Sequence, residues 1–350
     1  MNTIHKSVDP ESIDASVMDE AGSIIRSGGL VAFPTETVYG LGGDALNPAS
    51  SRKIYEAKGR PSDNPLIVHI ADMGDLEKIA EDIPDVAYAL ADRYWPGPLT
   101  MIFKKNSVVP SETTGGLDTV AVRFPSHPVA QAFIRAAGGY IAAPSANISG
   151  RPSPTTGDHV RADMDGRIDM IIDSGPCDIG LESTIIDLSS DVPMMLRPGF
   201  VSADMLREVL DELDTDPAVY REVGPDTKPK APGMKYRHYA PKGKVTIVSG
   251  KKDDVVRYIR EKLDEDSGRV KTAVLSDSDD REQYERADLV ADMGDRNDEA
   301  AIASRLYDVL RKCDDEDIEE IYSEEFNTPQ LGQAIMNRLI KAAGHNIVKV

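Results

Sequence analysis

The stretch "KVTIVSGKKDDVVRYIREKL", residues 244–263, decides the fold of the last third of the chain. It joins a short β-branched run, typical of a buried strand, to a segment whose apolar residues recur at helical spacing. The two patterns then alternate through "KTAVLSD", "REQYERAD", "LVADMGD", "DEAAIASRLYDVLRKC", "IEEIYSEEF" and "PQLGQAIMNRLIKAAG". Strict alternation predicts a small parallel sheet with helices on both faces, so we expect an α/β domain over residues 244–350.

Residues 1–213 have a different order of elements. Helices are predicted over residues 11–27 and in "SSRKIYEAKGR", "DVAYALADRYW", "HPVAQAFIRAAGG" and "SADMLREVLDEL". Strands are predicted in "LVAFP", "PLIVHIA", "PLTMIFK", "TVAVRFP", "YIAAPSAN", "IDMIIDSG", "STIIDLS" and "PMMLRPG". Several of these strands follow one another without a helix between them, which favours antiparallel neighbours. The sequence therefore predicts a mixed-sheet α/β domain.

Residues 214–243 separate the two patterns and hold five prolines, at positions 217, 225, 229, 232 and 241. No regular element is predicted there, which is typical of a domain linker. Within this segment, "APGMKYRHYAP" gathers Lys235, Tyr236, Arg237, His238 and Tyr239. A nucleic-acid patch, a metal site, a plain linker and a lid over an anionic ligand are all compatible with such a cluster.

The chain has 350 residues and a formal net charge of −20. This charge disfavours a broad contact with nucleic acid or an anionic membrane, although a local basic pocket stays possible. No apolar run approaches the roughly 18 residues that span a bilayer, and the N-terminus lacks the apolar core of a signal peptide. The two cysteines, Cys177 and Cys313, are far apart and show no metal-type spacing. We therefore expect a soluble protein of a reducing cytoplasm.

Two polar strings are candidates for a nucleotide site. "KGRPSDNPL" places Lys58, Arg60 and Asn64 just after a predicted helix, where two cations could bind phosphate. The alternative is a solvated helix end with favourable cations. "APSANISGRPSPTT" ends a buried strand in hydroxyl and amide side chains, including Ser145 and Asn147, and ligands gather at such strand ends. Here the alternative is a capped turn.

Other catalytic patterns are weak or missing from the sequence. There is no P-loop string, and "YGLGGDAL" lacks the full glycine fingerprint of a dinucleotide site, so we interpret Gly42-Gly43 as a tight turn. No Ser-His-Asp, Cys-His or metal-ligand spacing stands out. The pattern indicates binding groups rather than a side-chain nucleophile, and positioning with charge neutralisation suffices for nucleotidyl transfer with magnesium.

Further polar residues occur at the ends of predicted strands. "VRFP" places Arg123 at a strand end, where a buried arginine needs an anion that a small carboxylate ligand would supply. His69 lies inside "LIVHI", and a lone histidine in a strand is more often a core residue than a functional one. The other strand-end residues are Thr35, Glu36, Thr37, Glu182, Ser183, Thr184 and Arg197.

Eight strings in this order resemble the threonylcarbamoyl-AMP synthase family in its two-domain form. They are "PTETVYGLG", "KGRPSDNPL", "WPGPLT", "VRFP", "APSAN", "ESTIID", "LRPG" and "PGMKYRHYAP". Each string alone is weak, but the collinear set covers nearly the whole chain. The resemblance implies a YrdC-like twisted mixed-sheet catalytic domain over residues 1–213, a linker or lid over 214–243 and a Rossmann-like domain over 244–350.

The resemblance also implies site residues. The family signature K-x-R with S-x-N falls on Lys58, Arg60, Ser145 and Asn147 as the catalytic set. Contacts with threonine carry over to Thr35, His69, Arg123, Ala143 and Ser183. Contacts with ATP carry over to Lys58, Arg60, Asn64, Thr119, Ser145, Asn147, Ser153, Arg197 and Tyr236. Ala143 stands where many relatives have a hydroxyl residue, which is harmless if the backbone makes the contact.

The implied reaction converts L-threonine, bicarbonate and ATP, with Mg²⁺, to threonylcarbamoyl-AMP and pyrophosphate. A separate enzyme then transfers the threonylcarbamoyl group to the adenosine beside the anticodon of tRNA, and docking to that transferase is an open possibility. The lid interpretation of "APGMKYRHYAP" follows, with Tyr236 on ATP, because acidity disfavours a nucleic-acid patch and His238 stands alone. The sequence does not define the role of the C-terminal domain or the oligomeric state.

Two other functions fit the same fold. A carbamoyl-transfer domain uses carbamoyl phosphate, but it normally lies inside a larger chain with zinc-binding cysteines. A non-catalytic RNA-binding or ribosome-maturation protein is the second alternative, and the charge of −20 weighs against it.

Overall fold

The computed structural model describes residues 2–221, 224, 229–234 and 238–350. These residues form two compact units, one made of Met1–Ser149 and Ser153–Lys235 and the other of Gly150–Pro152 and Tyr236–Val350. The functional division at residues 213 and 243 stays a prediction. Among the described residues, no helix combines the length and apolar character needed to cross a membrane.

The first unit alternates short strands and helices. Its strands are β1 (Ile4–Ser7), β2 (Val31–Phe33), β3 (Gly40–Asp44), β4 (Ile67–His69), β5 (Ala80–Glu81), β6 (Leu99–Lys105), β7 (Thr119–Arg123), β8 (Ile141–Ala143), β9 (Met170–Asp173), β10 (Thr184–Asp187), β11 (Met194–Arg197) and β12 (Asp214–Thr215). Its α-helices are α1 (Ala15–Arg26), α2 (Pro48–Lys58), α3 (Leu76–Ile79), α4 (Asp85–Tyr94), α5 (Pro128–Ala137), α6 (Gly157–Met164) and α7 (Ala203–Arg207).

All strands of the first unit belong to one mixed sheet. Over the described residues the order is β1-β9-β2-β3-β8-β4-β7-β6-β10-β11-β12, and β5 pairs with β6. Parallel pairs such as β4 with β7 alternate with antiparallel pairs such as β7 with β6. The mixed sheet that the sequence predicted is therefore present.

Helices α1 and α5 show how the sequence builds this unit. Asp14 caps α1 by accepting a hydrogen bond from the backbone N–H of Ser16, and the apolar face of the helix is buried. At Gly22 a Cβ would lie 2.4 Å from the carbonyl oxygen of Ala136 on α5, so close contact between the two helices requires glycine there. Their apolar faces join one large core beneath the sheet strands.

The second unit contains a separate sheet of parallel strands. Its elements are β13 (Lys244–Ser249), α8 (Lys252–Asp266), β14 (Thr272–Ser276), β15 (Leu289–Asp292), α9 (Glu299–Asp315), β16 (Glu320–Glu324), α10 (Gly332–Ala342) and β17 (Ile347–Lys349). The strand order is β15-β14-β16-β13-β17, and every pair is parallel. Together with the mixed sheet, this all-parallel sheet confirms the predicted fold class.

Several local predictions were wrong. Gly42 and Gly43 do not form a turn but belong to β3. A larger side chain would be crowded at both positions, since a Cβ at Gly42 would lie 2.8 Å from Ile141 and one at Gly43 would lie 3.1 Å from Ile54. "REQYERAD" forms a 3-10 turn, Arg281–Tyr284, rather than an α-helix.

The predicted lengths also changed near the linker. The predicted helix "SADMLREVLDEL" is the short α7, whose N-cap is Ser202 as expected. The start of the linker holds β12 and a 3-10 turn, Pro217–Val219, where no element was expected. In β12, pairing with β11 imposes the strand conformation, so local sequence was a poor guide.

Candidate active site

Several of the predicted site residues lie on the central strands of the mixed sheet. In register across the sheet, His69 of β4 lies beside Arg123 of β7, and Arg123 lies opposite Thr100 of β6. Two residues along, Ile67 lies beside Ala121, which lies opposite Ile102. Because side chains alternate along strands, these two rows share one face. The face is polar at the Arg123 end and apolar next to it.

The Arg123 end holds a dense buried network. Arg123 is 4% exposed, and its Nη2 lies 2.6 Å from Oε1 of Glu36. The two charges touch without an aligned hydrogen bond, since neither atom has a partner of suitable geometry. Nη1 of Arg123 donates to Oγ1 of Thr37 at 2.8 Å, and Oγ1 of Thr35 lies 2.9 Å from Oγ1 of Thr37. The anion that Arg123 required is thus supplied by the protein itself.

His69 is fully buried in this network and stays neutral. Burial, and next to it the positive charge of Arg123, lower the pKa of His69 from 6.5 to about 3. Its Nδ1–H donates to the carbonyl oxygen of Ile67 at 3.1 Å, because a carbonyl only accepts. A neutral imidazole presents one N–H and one acceptor nitrogen, so His69 can hydrogen-bond a ligand without adding charge.

We expect His69 to make the protein sensitive to acid. Its pKa is lower in the folded state, so its stabilising contribution is complete above pH 6.5 and is lost as the pH falls toward 3. Protonation of one such group lowers the free energy of unfolding by about 2 kcal/mol between about pH 7.5 and about pH 5. Over that interval, the free energy of unfolding of His69→Gln, measured with urea, should fall by about 2 kcal/mol less than that of the parent. Equal losses in both proteins would contradict the assignment.

Ser183 and Arg197 extend the same polar end. Oγ of Ser183 lies 2.7 Å from Oγ1 of Thr100, and Nη2 of Arg197 donates to Oγ of Ser183 at 3.2 Å. Nε of Arg197 donates to the carbonyl oxygen of Ser183 at 3.0 Å. The hydroxyl of Ser183 thus contacts Arg197 and Thr100, and Thr100 is in register with Arg123.

Lys58, Ser145 and Asn147 form a second cluster. Nζ of Lys58, which is 1% exposed, donates at 2.5 Å to the carbonyl oxygens of Ser145 and Asn147 and lies 3.3 Å from Oδ1 of Asn147. Oγ of Ser145 donates to the same Oδ1 at 2.5 Å. Three of the four signature residues, Lys58, Ser145 and Asn147, thus lie in direct contact, with the lysine ammonium inside the loop that follows β8.

Arg60 and Asn64 flank this cluster. Gly59 ends α2 in the left-handed region, with φ of 62°, which turns the chain so that Arg60 folds back on the next turn. Nε of Arg60 donates to the carbonyl oxygen of Asn64 at 3.3 Å and Nη2 to that of Pro65 at 3.1 Å. Oδ1 of Asn64 is buried without a hydrogen-bond partner in the described residues, so it is an acceptor that a ligand can use.

The remaining predicted residues occupy separate positions. Thr119 begins β7 at the opposite end from Arg123, and Ala143 pairs through its backbone with Ile67. Oγ of Ser153, which is buried, donates to Oε1 of Glu182 at 2.5 Å. Tyr236 lies outside the described residues.

Two polar ends therefore lie on one sheet face. Thr119 and Arg123 are four residues apart on β7, which corresponds to about 13 Å of strand. Between them, Ile67, Ala121 and Ile102 form an apolar floor, and Ala231 and Met234 of the linker belong to the same hydrophobic cluster. Nη1 of Arg197 also lies 3.5 Å from the carbonyl oxygen of Pro232. The described part of the linker thus covers the face between the two ends.

Comparison with known proteins matches both units. The family model described as telomere recombination, for Sua5, YciO and YrdC, matches residues 23–199. The model described as the C-terminal domain of threonylcarbamoyl-AMP synthase matches residues 201–344. The threonylcarbamoyl-AMP synthase of Pyrococcus abyssi is 49% identical over 94% of this chain and 95% of that protein. The chain belongs to the threonylcarbamoyl-AMP synthase family.

Other members of the threonylcarbamoyl-AMP synthase family are also similar to this chain in sequence or structure. The Bacillus subtilis protein is 44% identical over 94% of both chains. The crystal structure of P. abyssi Sua5 complexed with L-threonine superposes with a TM-score of 0.93, at 48% identity, covering 99% of this chain and all of that one. A putative family member of Mycobacterium tuberculosis (strain H37Rv) is 35% identical, and the match covers 92% of that protein but 58% of this chain.

In this synthase fold, the sequence predicted many residues of the site but not the side chains that contact them. It noted Glu36 and Thr37 only as strand-end residues and did not single out Thr100 as part of the site. Glu36 and Arg123 are 87 positions apart, so only strand pairing could reveal their contact. The available signal was the alternation of the "TVAVR" strand, which places Thr119 and Arg123 on one face.

Proposed function

We propose that the chain synthesises threonylcarbamoyl-AMP from L-threonine, bicarbonate and ATP, releasing pyrophosphate, for the modification of tRNA beside the anticodon. The observation that supports this most directly is the pair of polar ends on one sheet face. A network around Arg123 suits an amino acid, and a cluster around Lys58 and Arg60 suits a polyphosphate. The strand between Thr119 and Arg123 is about 13 Å long, which leaves room for a joined aminoacyl and nucleotide product.

Threonine would occupy the Arg123 end. Arg123 and Arg197 are buried cations that can pair with its carboxylate. The neutral imidazole of His69 and the hydroxyls of Thr35 and Ser183 can hydrogen-bond its side-chain hydroxyl and its carboxylate. The backbone of Ala143, next to Ile67, needs no hydroxyl side chain for its contact. The P. abyssi relative, crystallised with L-threonine, supports threonine as the ligand.

ATP would occupy the Lys58 end. Arg60 and Lys58 offset the charge that grows on the phosphates, and Asn64 offers its unpartnered amide oxygen. Ser145, Asn147, Ser153 and Thr119 would supply further hydroxyl and amide groups to ATP. The predicted residues here offer hydroxyl and amide oxygens and cations rather than carboxylates, so Mg²⁺ fits best as part of the MgATP substrate, held mainly by phosphate oxygens.

The reaction follows from this arrangement without a protein nucleophile. The amine of threonine attacks the carbon of bicarbonate and a water molecule leaves, which gives N-carboxythreonine. The new carboxylate then attacks the α-phosphate of ATP and displaces pyrophosphate. Positioning of the two ends supplies much of the rate. The described linker residues Ala231 and Met234 cover the apolar floor and exclude water from the labile adenylate. Tyr236 and its neighbours would complete this lid.

Product analysis tests the proposal. The full chain, incubated with L-threonine, bicarbonate and MgATP, should form threonylcarbamoyl-AMP and one pyrophosphate per product, measured by mass spectrometry and pyrophosphate release. Omission of threonine or bicarbonate should abolish the product. Absence of the adenylate would defeat the main proposal, and a carbamoyl adenylate formed from carbamoyl phosphate would favour the carbamoyl-transfer alternative. A covalent protein–AMP species would contradict the mechanism.

The proposal also concerns the compartment in which the chain acts and the protein that receives its product. Cys177 and Cys313 are buried free thiols, which fits a reducing cytoplasm. Because the adenylate is labile, direct transfer to a docked transferase complex is the sequel that we propose, without stable binding of nucleic acid. An RNA-binding role without catalysis gains no support from the buried, inward-facing cations of this site.

A further inference from the structure

The carboxyl edge of the parallel sheet carries a cavity that the proposed reaction does not use. β13 and β16 are neighbours, but the chain leaves β13 through α8 to reach β14 and leaves β16 through α10 to reach β17, in opposite directions. In open parallel sheets, ligands bind at the carboxyl ends of two adjacent strands whose connections run in opposite directions. A cavity of about 320 Å³ lies there, with Gly250 and Lys252 from one loop and Glu324 and Asn327 from the other in its wall.

Three buried carboxylates lie close together here, and two of them, Asp280 and Glu324, belong to the cavity wall. Asp277, Asp280 and Glu324 are each at most 4% exposed, and one carboxylate oxygen from each lies within 4.8 Å of the others. Oxygens bound to a single Ca²⁺ or Mg²⁺ are at most about 5 Å apart, so this spacing suits one ion. Without a cation between them, three carboxylates at this distance repel one another strongly.

The cations that pair with these carboxylates are only partly buried, whereas the buried hydroxyl of Tyr284 donates to Oε1 of Glu324 at 2.8 Å and the backbone N–H of Asp280 donates to Oδ1 of Asp277 at 2.9 Å. Arg296, whose side chain is 43% exposed, bonds Asp277 through Nε and Glu324 through Nη2. Oδ2 of Asp280 lines up with no hydrogen-bond donor in the described residues although it is buried, and Asp280 is part of the cavity wall. Within the described residues, the same Oδ2 pairs with Nζ of Lys252 at 3.0 Å, and the side chain of Lys252 is 55% exposed.

The local charge favours a cation over an anion. Asp277, Asp280, Glu324 and Glu325 face Lys252 and Arg296, so four acidic residues meet two basic ones. The first turn of α8, which borders the cavity, adds Asp253 and Asp254, and these oppose an anion at the helix N-terminus. Carboxylate oxygens are the ligands that hard divalent cations prefer.

We propose that Asp277, Asp280 and Glu324 bind one divalent cation of the Mg²⁺, Mn²⁺ or Ca²⁺ class at the carboxyl edge of the second sheet. Arg296 acts as the resident counter-ion, and its half-exposed side chain moves toward solvent when the ion enters. The cavity leaves room for water ligands that complete the coordination. This site lies in the second unit and does not depend on the proposed synthase reaction or on MgATP.

Binding of Mn²⁺ to the chelator-treated full chain, without ATP, tests the site. We expect the variant Asp280→Asn to weaken the tightest Mn²⁺ site at least about tenfold, because a charged ligand is lost. Asp279→Asn is the matched control, since Asp279 is exposed and lies next to Asp280, and it should bind Mn²⁺ as the parent does. The measurement is the electron paramagnetic resonance signal of free Mn²⁺ during titration.

The variant Arg296→Gln separates a metal site from a purely structural ion pair. Removing the competing cation should strengthen Mn²⁺ binding by about fivefold or more, and Mn²⁺ should restore the melting temperature that the variant loses. Failure of Mn²⁺ to restore it would overturn the counter-ion role of Arg296. Equal Mn²⁺ binding by the parent, Asp280→Asn and Asp279→Asn, or no binding by the parent, would overturn the site itself, whatever the behaviour of Arg296→Gln.

Discussion

Replacement of Arg60 by alanine is expected to abolish most ATP use while the fold persists. Arg60 is 8% exposed, and two of its guanidinium nitrogens hold the turn of Asn64 and Pro65 at the ATP end. Loss of a cation that stabilises charge on transferring phosphates costs about 10²–10³ in rate. We expect kcat/KM for pyrophosphate release, with threonine and bicarbonate saturating, to fall by about that factor.

Two further variants make this result specific. Arg52→Ala removes another arginine of the same segment, but its ion pair with Glu112 is exposed, so activity and stability should stay close to the parent. Arg60→Lys keeps the charge and loses the planar fork, so it should recover part of the rate. Unchanged turnover by Arg60→Ala would remove Arg60 from the site, and a collapse of its melting temperature would indicate a structural role instead.

Truncation of the chain before Ala231 is expected to impair synthesis although the mixed sheet is complete. Ala231 is fully buried and Met234 nearly so, and both pack on the apolar floor between the two polar ends. Their removal opens the floor to water and deletes the predicted contact of Tyr236 with ATP. We expect product formation to fall at least about tenfold, with part of the adenylate lost to hydrolysis.

A chain that ends at Pro241 is the matched control. It keeps residues 231–241 and lacks the second sheet, so recovered activity would assign the effect to the lid rather than to the second unit. The M. tuberculosis relative matches 58% of this chain over 92% of its own length, so a relative much shorter than this chain exists. Full activity of the chain that ends at residue 230 would refute the lid. If that chain is unfolded by circular dichroism, Met234→Gln in the full chain gives the same comparison.

The sequence predicted the elements of this fold well where local pattern dominates. Helices α1, α2 and α5 carry clear caps and stops, and the alternation after residue 243 required a parallel sheet. It failed at β3, where glycines serve close strand packing and resemble a turn in sequence. Strands as short as β12 exist because a neighbour pairs with them, which no local window contains.

For the site, residue types were predictable and partners were not. The strings predicted Lys58 as a phosphate ligand, yet its ammonium lies against two loop carbonyls, so it also fixes the conformation of Ser145 and Asn147. Arg123 was expected to pair with an anionic group of the ligand, but the carboxylate of Glu36 already pairs with it. Such pairings depend on tertiary distance, and the sequence fixes them only through the complete fold.

The ion pair between Arg123 and Glu36 presents both signs of charge to a ligand of this end. The pair is buried and sums to zero, so a zwitterion can place each of its two charges against a group of opposite sign. A free α-amino acid meets that condition, with its carboxylate toward Arg123 and its ammonium toward Glu36. A hydroxy acid of the same shape has no ammonium and therefore offers nothing to the carboxylate of Glu36. Discrimination between the two classes is therefore electrostatic before it is steric.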